Sequence, residues 1–151
     1  MKKLALGMML LVGGGLAWRA MHSDAPDPKL IFDRFWVDHM PRSPDEKFQP
    51  FFINSEFPFG RFVVRTQWTG AFEEFHYHVI PREPGVLDLL FGATREIQRV
   101  RYTARPCHEH GFDYCLDIAG TSRGVKRYYS KKEWGPAHSE AEGLAKLHLA
   151  E

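Results

Sequence analysis

Apolar and polar residues alternate along most of the chain between residues 30 and 134, a pattern typical of β-strands with one buried face. The alternation predicts strands over residues 30–39, 48–54, 61–68, 72–80, 86–91, 97–105, 112–118 and 125–129, and glycine- and proline-containing segments separate them. Pro50 lies inside the second segment and favours an edge strand or an irregular segment there, because proline has no amide hydrogen for a sheet. Thr69 and Gly70 predict a hairpin turn between the third and fourth strands.

Seven or eight short strands at this spacing predict an all-β fold rather than alternating strands and helices. We expect a single antiparallel meander closed into a small barrel, with one domain over residues 30–134. The preceding residues 23–29 are polar and contain two prolines, which is typical of a linker. In the tail over residues 135–151, Ser139 and Glu142 have the spacing of a capping box and predict a short helix.

Residues 1–22 differ from the rest of the chain. Lys2 and Lys3 precede an uncharged, largely apolar stretch over residues 4–18, and Arg19 ends it. The stretch has 15 residues, fewer than the roughly 20 that span a bilayer, which favours a cleaved signal peptide over an uncleaved membrane anchor. A helix buried in the domain is the third interpretation. We expect this stretch to form an N-terminal hydrophobic helix. The first two interpretations predict a protein that is exported or anchored in a membrane by residues 4–18.

The charge balance argues against a partner recognised by bulk charge. The chain has 20 basic and 19 acidic residues, and residues 1–22 hold three of the basic ones and no acidic one. The remainder is therefore slightly acidic and has no general attraction for nucleic acid or anionic lipid. We expect no nucleic-acid partner, and membrane contact only through the N-terminal segment.

The two cysteines, Cys107 and Cys115, fall on neighbouring predicted strands. A hairpin register whose paired residue numbers sum to 222 places them opposite each other and places Arg105 opposite Asp117. In an oxidising compartment this pairing predicts a disulfide. The alternative is a pair of reduced thiols, which would fit a cytosolic protein.

Two groups of residues are candidates for catalytic or metal chemistry. His76 and His78 lie at alternate positions of one strand, so both side chains point to the same face and can reach one metal ion. They need a third ligand from Glu74, His108 or His110, and the alternative is a solvent-facing polar strip. Residues 120–124 match the G-x-S-x-G pattern around Ser122, which carries a nucleophile only on a strand-to-helix turn and otherwise predicts a loop. We expect no cofactor.

Aromatic residues are abundant, at 14% of the chain with 12 phenylalanines, and they concentrate in its first half. They form a large core, line a cavity or cover a partner-facing patch. The residues predicted to line the pocket or the core are Trp36, Phe62, Trp68, Phe75 and Tyr77.

The segment Phe35-Trp36-Val37 after a short lead-in, and Arg127 before Tyr128-Tyr129 on the last strand, make the chain resemble the lipocalin-like (calycin) barrels. The resemblance implies an eight-stranded antiparallel barrel with an internal cavity for a small apolar ligand. It also implies that Trp36 packs against Arg127 to close the barrel, or that Arg127 contacts a polar head group. The chain departs from the family at Arg34, where glycine is usual.

These observations favour a non-catalytic exported barrel that binds a small hydrophobic or amphipathic ligand. The alternative is a structural or assembly subunit of an envelope complex, which uses an exposed aromatic patch to bind another envelope protein. A third hypothesis, an enzyme that uses His76 and His78 or Ser122, lacks convergent groups. A cavity open at one end distinguishes the first hypothesis from the second, which predicts a filled interior.

Overall fold

The computed structural model describes residues 25–43, 45–63, 72–135 and 142, and it contains one closed antiparallel barrel. Its eight strands follow one another around the barrel in chain order: β1 Phe35–Val37, β2 Pro50–Ile53, β3 Phe59–Val63, β4 Phe72–Val79, β5 Val86–Phe91, β6 Glu96–Pro106, β7 Tyr114–Ala119 and β8 Arg127–Ser130. The predicted all-β meander is confirmed. Within the described residues, no helix has the length and apolar character needed to cross a bilayer.

Because consecutive strands are antiparallel, the connections alternate between the two ends of the barrel. We call one end the mouth, where the connections that follow β1, β3, β5 and β7 lie. The other end is the base, where the connections after β2, β4 and β6 lie. A 3₁₀ helix, Pro28–Ile31, crosses the base: the Asp27 amide donates to the Ala104 carbonyl at 2.8 Å and Phe32 bridges to Ile53.

The barrel interior holds one contiguous core. Its fully buried members alternate along the strands with outward residues, as the sequence pattern predicts. They are Trp36, Phe51, Ile53, Phe62, Phe75, Leu87, Leu89, Phe91, Val100, Ala104, Leu116, Ile118 and Tyr128, with Ile31 and Tyr102 at the base. A second cluster covers the outside of the β1–β8 seam, where Phe35, Val37 and Phe112 pack with Trp134 of the 3₁₀ helix Lys132–Trp134.

Three sequence predictions need correction. The first predicted strand is shorter, because residues 28–31 form the 3₁₀ helix and only Phe35–Val37 pair as a strand. Pro50 does not mark an edge strand, since β2 lies between β1 and β3. Because Pro50 is the first residue of β2, its missing amide hydrogen does not interrupt the hydrogen bonds of the sheet. Phe112 precedes β7 and packs outside the barrel, not in its interior.

The disulfide between Cys107 and Cys115 is confirmed, with Cα atoms 5.7 Å apart, but the register predicted for it is wrong. Arg105 pairs with Cys115 and Ala104 with Leu116, so the strands are shifted by two residues. The same faces remain buried because the shift is even. The ladder ends at Pro106, and Cys107 closes the loop by donating its amide to the Asp113 carbonyl at 2.8 Å.

We expect that replacing both cysteines by serine lowers the free energy of unfolding by roughly 2–3 kcal/mol, through the closure entropy of a short loop. Urea denaturation of the oxidised wild type and of the double variant measures the difference. Reduction of the wild type with a dithiol should produce a similar loss, and the serine variant should not respond to the reductant. A wild type whose stability is unchanged by reduction would contradict the expectation.

Several predictions fall on residues that the structure does not describe. The N-terminal hydrophobic helix and residues 1–22 lie outside the described residues, as does Trp68. The same holds for the predicted C-terminal helix apart from Glu142.

Candidate functional site

The predicted lining residues Trp36, Phe62 and Phe75 all point into the barrel and are fully buried. At the level of Phe62 and Phe75 the interior is crossed by five rings, each packed against at least one other, which we call the aromatic layer. Its members are Phe51, Phe62, Phe75, Phe91 and Tyr128. Phe62 lies 4.7 Å from Phe51 and 4.9 Å from Phe75 between ring centroids. Side chains therefore occupy this section of the barrel, where the resemblance implies a ligand cavity.

The aromatic side chains at the base satisfy their polar atoms within the protein. Trp36 donates from Nε1 to the Ile31 carbonyl at 3.3 Å, and the Tyr77 hydroxyl donates to the Asn54 carbonyl at 2.9 Å. Tyr102 donates to the Pro28 carbonyl at 3.0 Å. Burial raises the pKa of Tyr77, and it raises the pKa of Tyr102 to about 12. These phenols are neutral donors at physiological pH. Tyr102 holds the segment around Pro28 across the base, and Tyr77 bonds the connection that follows β2.

The connection between β7 and β8 folds over the mouth through Arg123. Its guanidinium lies 4.9 Å from the centroid of the Phe91 ring and pairs with Glu73 at 2.8 Å and Glu96 at 3.0 Å. Hydrogen bonding to the Glu73 carboxylate raises the pKa of Arg123. Ser122, at the centre of the G-x-S-x-G match, accepts from Gln98 and from Arg123 through Oγ at 3.0 Å each. Both partners are donors rather than bases, so neither can take a proton from the Ser122 hydroxyl as a nucleophile would require.

Arg127 does not reach the barrel interior. It points outward and binds Asp117 through two hydrogen bonds of 2.6 and 3.0 Å, and Glu109 lies 3.1 Å away. Trp36 lies on the opposite face of the barrel wall, so the Trp36–Arg127 packing implied by the resemblance is not formed. The arginine that connects the first and last strands is Arg34, which donates to the Lys131 carbonyl at 2.7 Å and stacks 4.2 Å above the Tyr114 ring. Burial lowers its pKa.

His76 and His78, the candidate metal ligands, are exposed on the outer face of β4. Across the strand pair they face Leu90 and Asp88, respectively. Among the described residues, one set of three potential ligand atoms lies within 4.8 Å of one another, and it consists of Cys107, Glu109 and Cys115. Its two sulfurs are bonded to each other. The structure thus brings no third ligand to the two histidines within the described part of the chain.

A row of side chains that are apolar except for one histidine crosses the outside of the barrel. Strand register places Phe59 opposite His76, His76 opposite Leu90, and Leu90 opposite Ile97, on β3, β4, β5 and β6. Phe57 continues the row at the base side by stacking on Phe59, with ring centroids 5.7 Å apart. We call these residues the outer stripe: Phe57, Phe59, His76, Leu90 and Ile97.

The outer stripe contains much of the exposed apolar surface of the described residues. Phe57 is 54% exposed, Leu90 38% and Ile97 68%. The other exposed large apolar side chains within the described ranges are Met40 and Val79. The sequence pattern indicates that Ile97 is exposed, because the alternation that turns Arg99 and Arg101 outward also turns Ile97 outward.

Charged rows flank the outer stripe on both sides, and each is neutralised within the chain. Arg61 pairs with Glu74 at 2.8 Å on the mouth side. Arg99 binds both oxygens of Asp88 on the base side, at 2.7 and 2.9 Å, and these hydrogen bonds lower the pKa of Asp88. The stripe is therefore a largely apolar surface, with one histidine in it, between two ion pairs.

No pattern in the sequence marks Arg123, Glu73 and Arg34 as residues that hold the barrel together. Glu73 approaches Arg123 from a strand 50 residues away, so no local spacing connects them.

Comparison with protein-family models, curated proteins and solved structures finds no significant match to the chain.

Proposed function

We propose that this protein is a non-catalytic, exported β-barrel that acts as an assembly subunit of the cell envelope and binds a partner protein through the outer stripe. The exposed apolar side chains of the outer stripe, which lie on both sides of His76, carry this proposal. Monomeric soluble proteins expose large contiguous apolar patches mainly where they bind something. An ion pair lies on each side of the stripe, and the two charges of each pair neutralise each other. The surface therefore has the apolar centre and polar rim of a protein interface.

The aromatic layer supports assembly over ligand binding. A small hydrophobic ligand needs a concave apolar site, and here the aromatic layer occupies the section between base and mouth. At the mouth, Arg123 and its two carboxylate partners cover Phe91. A ligand would therefore have to displace buried rings and break an ion pair, whereas a partner at the outer stripe displaces only water.

Export rests on two observations. The Cys107–Cys115 disulfide is of a kind that persists in oxidising compartments and is rare in the cytosol. The basic start and uncharged stretch of residues 1–22 have the outline of a secretory signal. Together they support an envelope or extracellular location for the barrel.

Ile97→Glu tests the proposed function in the native host. We expect wild-type protein extracted from the envelope to migrate in a complex larger than the chain, and the variant to migrate as a smaller species, because a carboxylate buried within an apolar interface stays unpaired. Sizing of the detergent extract under native conditions measures this. Ala119→Glu is the matched control, since it adds the same charge on the outer face of neighbouring β7, opposite Arg101.

The control should leave the complex intact, and both variants should unfold at temperatures close to that of the wild type. The proposed function is contradicted if the wild type migrates as a lone chain, or if Ile97→Glu leaves the size of the complex unchanged.

A further inference from the structure

The barrel closes where β1 meets β8, and this seam has little backbone pairing. Among the described residues of the two strands, only Val37 and Tyr129 lie opposite each other in the register. By contrast, β5 pairs with β6 along its whole length, Val86–Phe91. Each paired position contributes backbone hydrogen bonds and cross-strand contacts, so the seam depends on other interactions to stay closed.

Aromatic side chains on the outside of the barrel supply part of these interactions. The Tyr129 ring contacts two residues of the connection between β6 and β7, with Phe112 stacked at 5.2 Å and His110 edge-on at 5.5 Å between ring centroids. Trp134 contacts Phe112 at 5.8 Å and Phe35 of β1 at 6.1 Å. The row of rings that joins β8 to β1 therefore passes through the β6–β7 connection.

The Cys107–Cys115 disulfide closes this connection into a loop between cysteines eight residues apart. Cys115 lies directly opposite Tyr129 in the β7–β8 register, so the bridge lies beside the one residue of β8 that pairs with β1. Both cysteines are buried, Cys115 completely and Cys107 to within 6%. A covalent bond at this place restricts the conformations of the loop that contacts the seam.

Hydrogen bonds link the same loop to β1 by a second route. The Asp113 amide donates to the Ser130 carbonyl at 3.0 Å, and the Ser130 hydroxyl donates to the Phe35 carbonyl of β1 at 2.7 Å. The Asp113 carboxylate accepts from the Lys132 amide at 2.8 Å. Cys107 donates its own amide to the Asp113 carbonyl at 2.8 Å, so the bridged residue and the seam share Asp113 as a partner.

We propose that oxidation of the two cysteines controls closure of the barrel. In the dithiol form β2 to β7 are paired and the β1–β8 seam is open, and formation of the bridge closes the seam. The step is an exchange with an oxidised disulfide carrier: the S–H bonds of Cys107 and Cys115 break, their S–S bond forms, and two electrons and two protons pass to the carrier, which becomes a dithiol. Because cytosolic thiols stay reduced, the closed barrel forms in an oxidising compartment. This device is independent of the outer stripe and goes beyond the proposed function.

Nuclear magnetic resonance of the isotope-labelled full chain tests the proposal, because opposite residues of antiparallel strands approach closely enough for proton NOEs. With the bridge intact we expect NOEs between Val37 and Tyr129 at the seam and between Leu89 and Gln98 on β5 and β6. After reduction with dithiothreitol, checked by thiol titration, the seam NOE should be lost and the β5–β6 NOE retained. The variant with both cysteines replaced by serine should behave like the reduced protein. Reduced protein that keeps both NOEs, or loses both, overturns the proposal.

Val100→Ala is the matched control, because it removes apolar volume from the buried core of β6 and leaves the bridge intact. It should retain both NOEs. Loss of the seam NOE alone in this variant would show that the seam opens with any loss of stability, which overturns control by the disulfide. Reoxidation of the reduced wild type should restore the seam NOE, whereas the serine variant should not respond to the oxidant. A seam that stays open after the bridge has re-formed also overturns the proposal.

Discussion

Replacing Phe62 by alanine is expected to lower the free energy of unfolding by about 3–5 kcal/mol, the range for a large buried aromatic side chain. Phe62 has no exposed surface and contacts Phe51, Phe75 and Phe91 in the aromatic layer. Its loss removes buried apolar area and leaves a cavity that the neighbouring rings fill only in part. Chemical denaturation followed by circular dichroism measures the change at low micromolar protein concentration.

Phe57→Ala is the matched control for this experiment, because it removes the same ring from a position that is 54% exposed. Its effect on stability should stay below about 1 kcal/mol. Equal losses for the two variants would contradict the assignment of Phe62 to the core and Phe57 to the surface. The pair therefore separates the two origins of the high aromatic content, a core and a binding surface.

The Phe62→Ala variant also addresses ligand binding. An apolar cavity left by the removal of a buried ring stays dry and accepts small apolar molecules. Benzene should therefore raise the unfolding temperature of Phe62→Ala and leave that of the wild type unchanged. A comparable rise in the wild type would show room in the barrel interior and would weaken the assembly proposal in favour of a small hydrophobic ligand.

The sequence predicts the strands well because alternation is a local property of the chain. The sequence pattern does not predict features, such as the pairing register of two strands, that depend on more than which face is buried. The β6–β7 register differs from the prediction by two residues, and an even shift keeps Ala104 and Leu116 inside in either case. The geometry of the loop between β6 and β7 sets the register, and this loop contains His110 at a φ of 54° and Gly111 at a φ of 79°. Alternation carries no information about loop geometry.

In the candidate site, too, alternation predicts which face each side chain occupies but not how side chains from distant strands meet. Alternation correctly places Phe62 and Phe75 inside and predicts which face Ile97 occupies. It gives no information on whether facing rings meet or leave a cavity, because that depends on distances across the closed barrel. The roles of Arg123 and Arg127 could not be distinguished either, since each depends on carboxylates from other strands, Glu73 for the first and Asp117 for the second.

Gly60→Ala is the second substitution with a large expected effect, a loss of about 3 kcal/mol at the upper end of the range for overpacking. Gly60 lies on β3 directly opposite Phe75 on β4 and faces the barrel interior. An added Cβ would overlap the tip of the Phe75 ring, lying 2.6 Å from its Cε2 and 3.0 Å from Cγ1 of Ile53. The ring cannot move away freely, because Phe51, Phe62 and Phe91 surround it.

Gly92→Ala provides the control, since a Cβ there would meet only the Glu74 carbonyl at 3.9 Å. A combined variant tests the cause: Phe75→Leu removes the ring tip, so Gly60→Ala should cost about 1–2 kcal/mol less in that background. Urea denaturation of the two single variants, the double variant and the wild type yields this coupling energy. If Gly60→Ala costs the same in both backgrounds, strain against Phe75 is not its cause, and the need for glycine at this position lies in the backbone of β3.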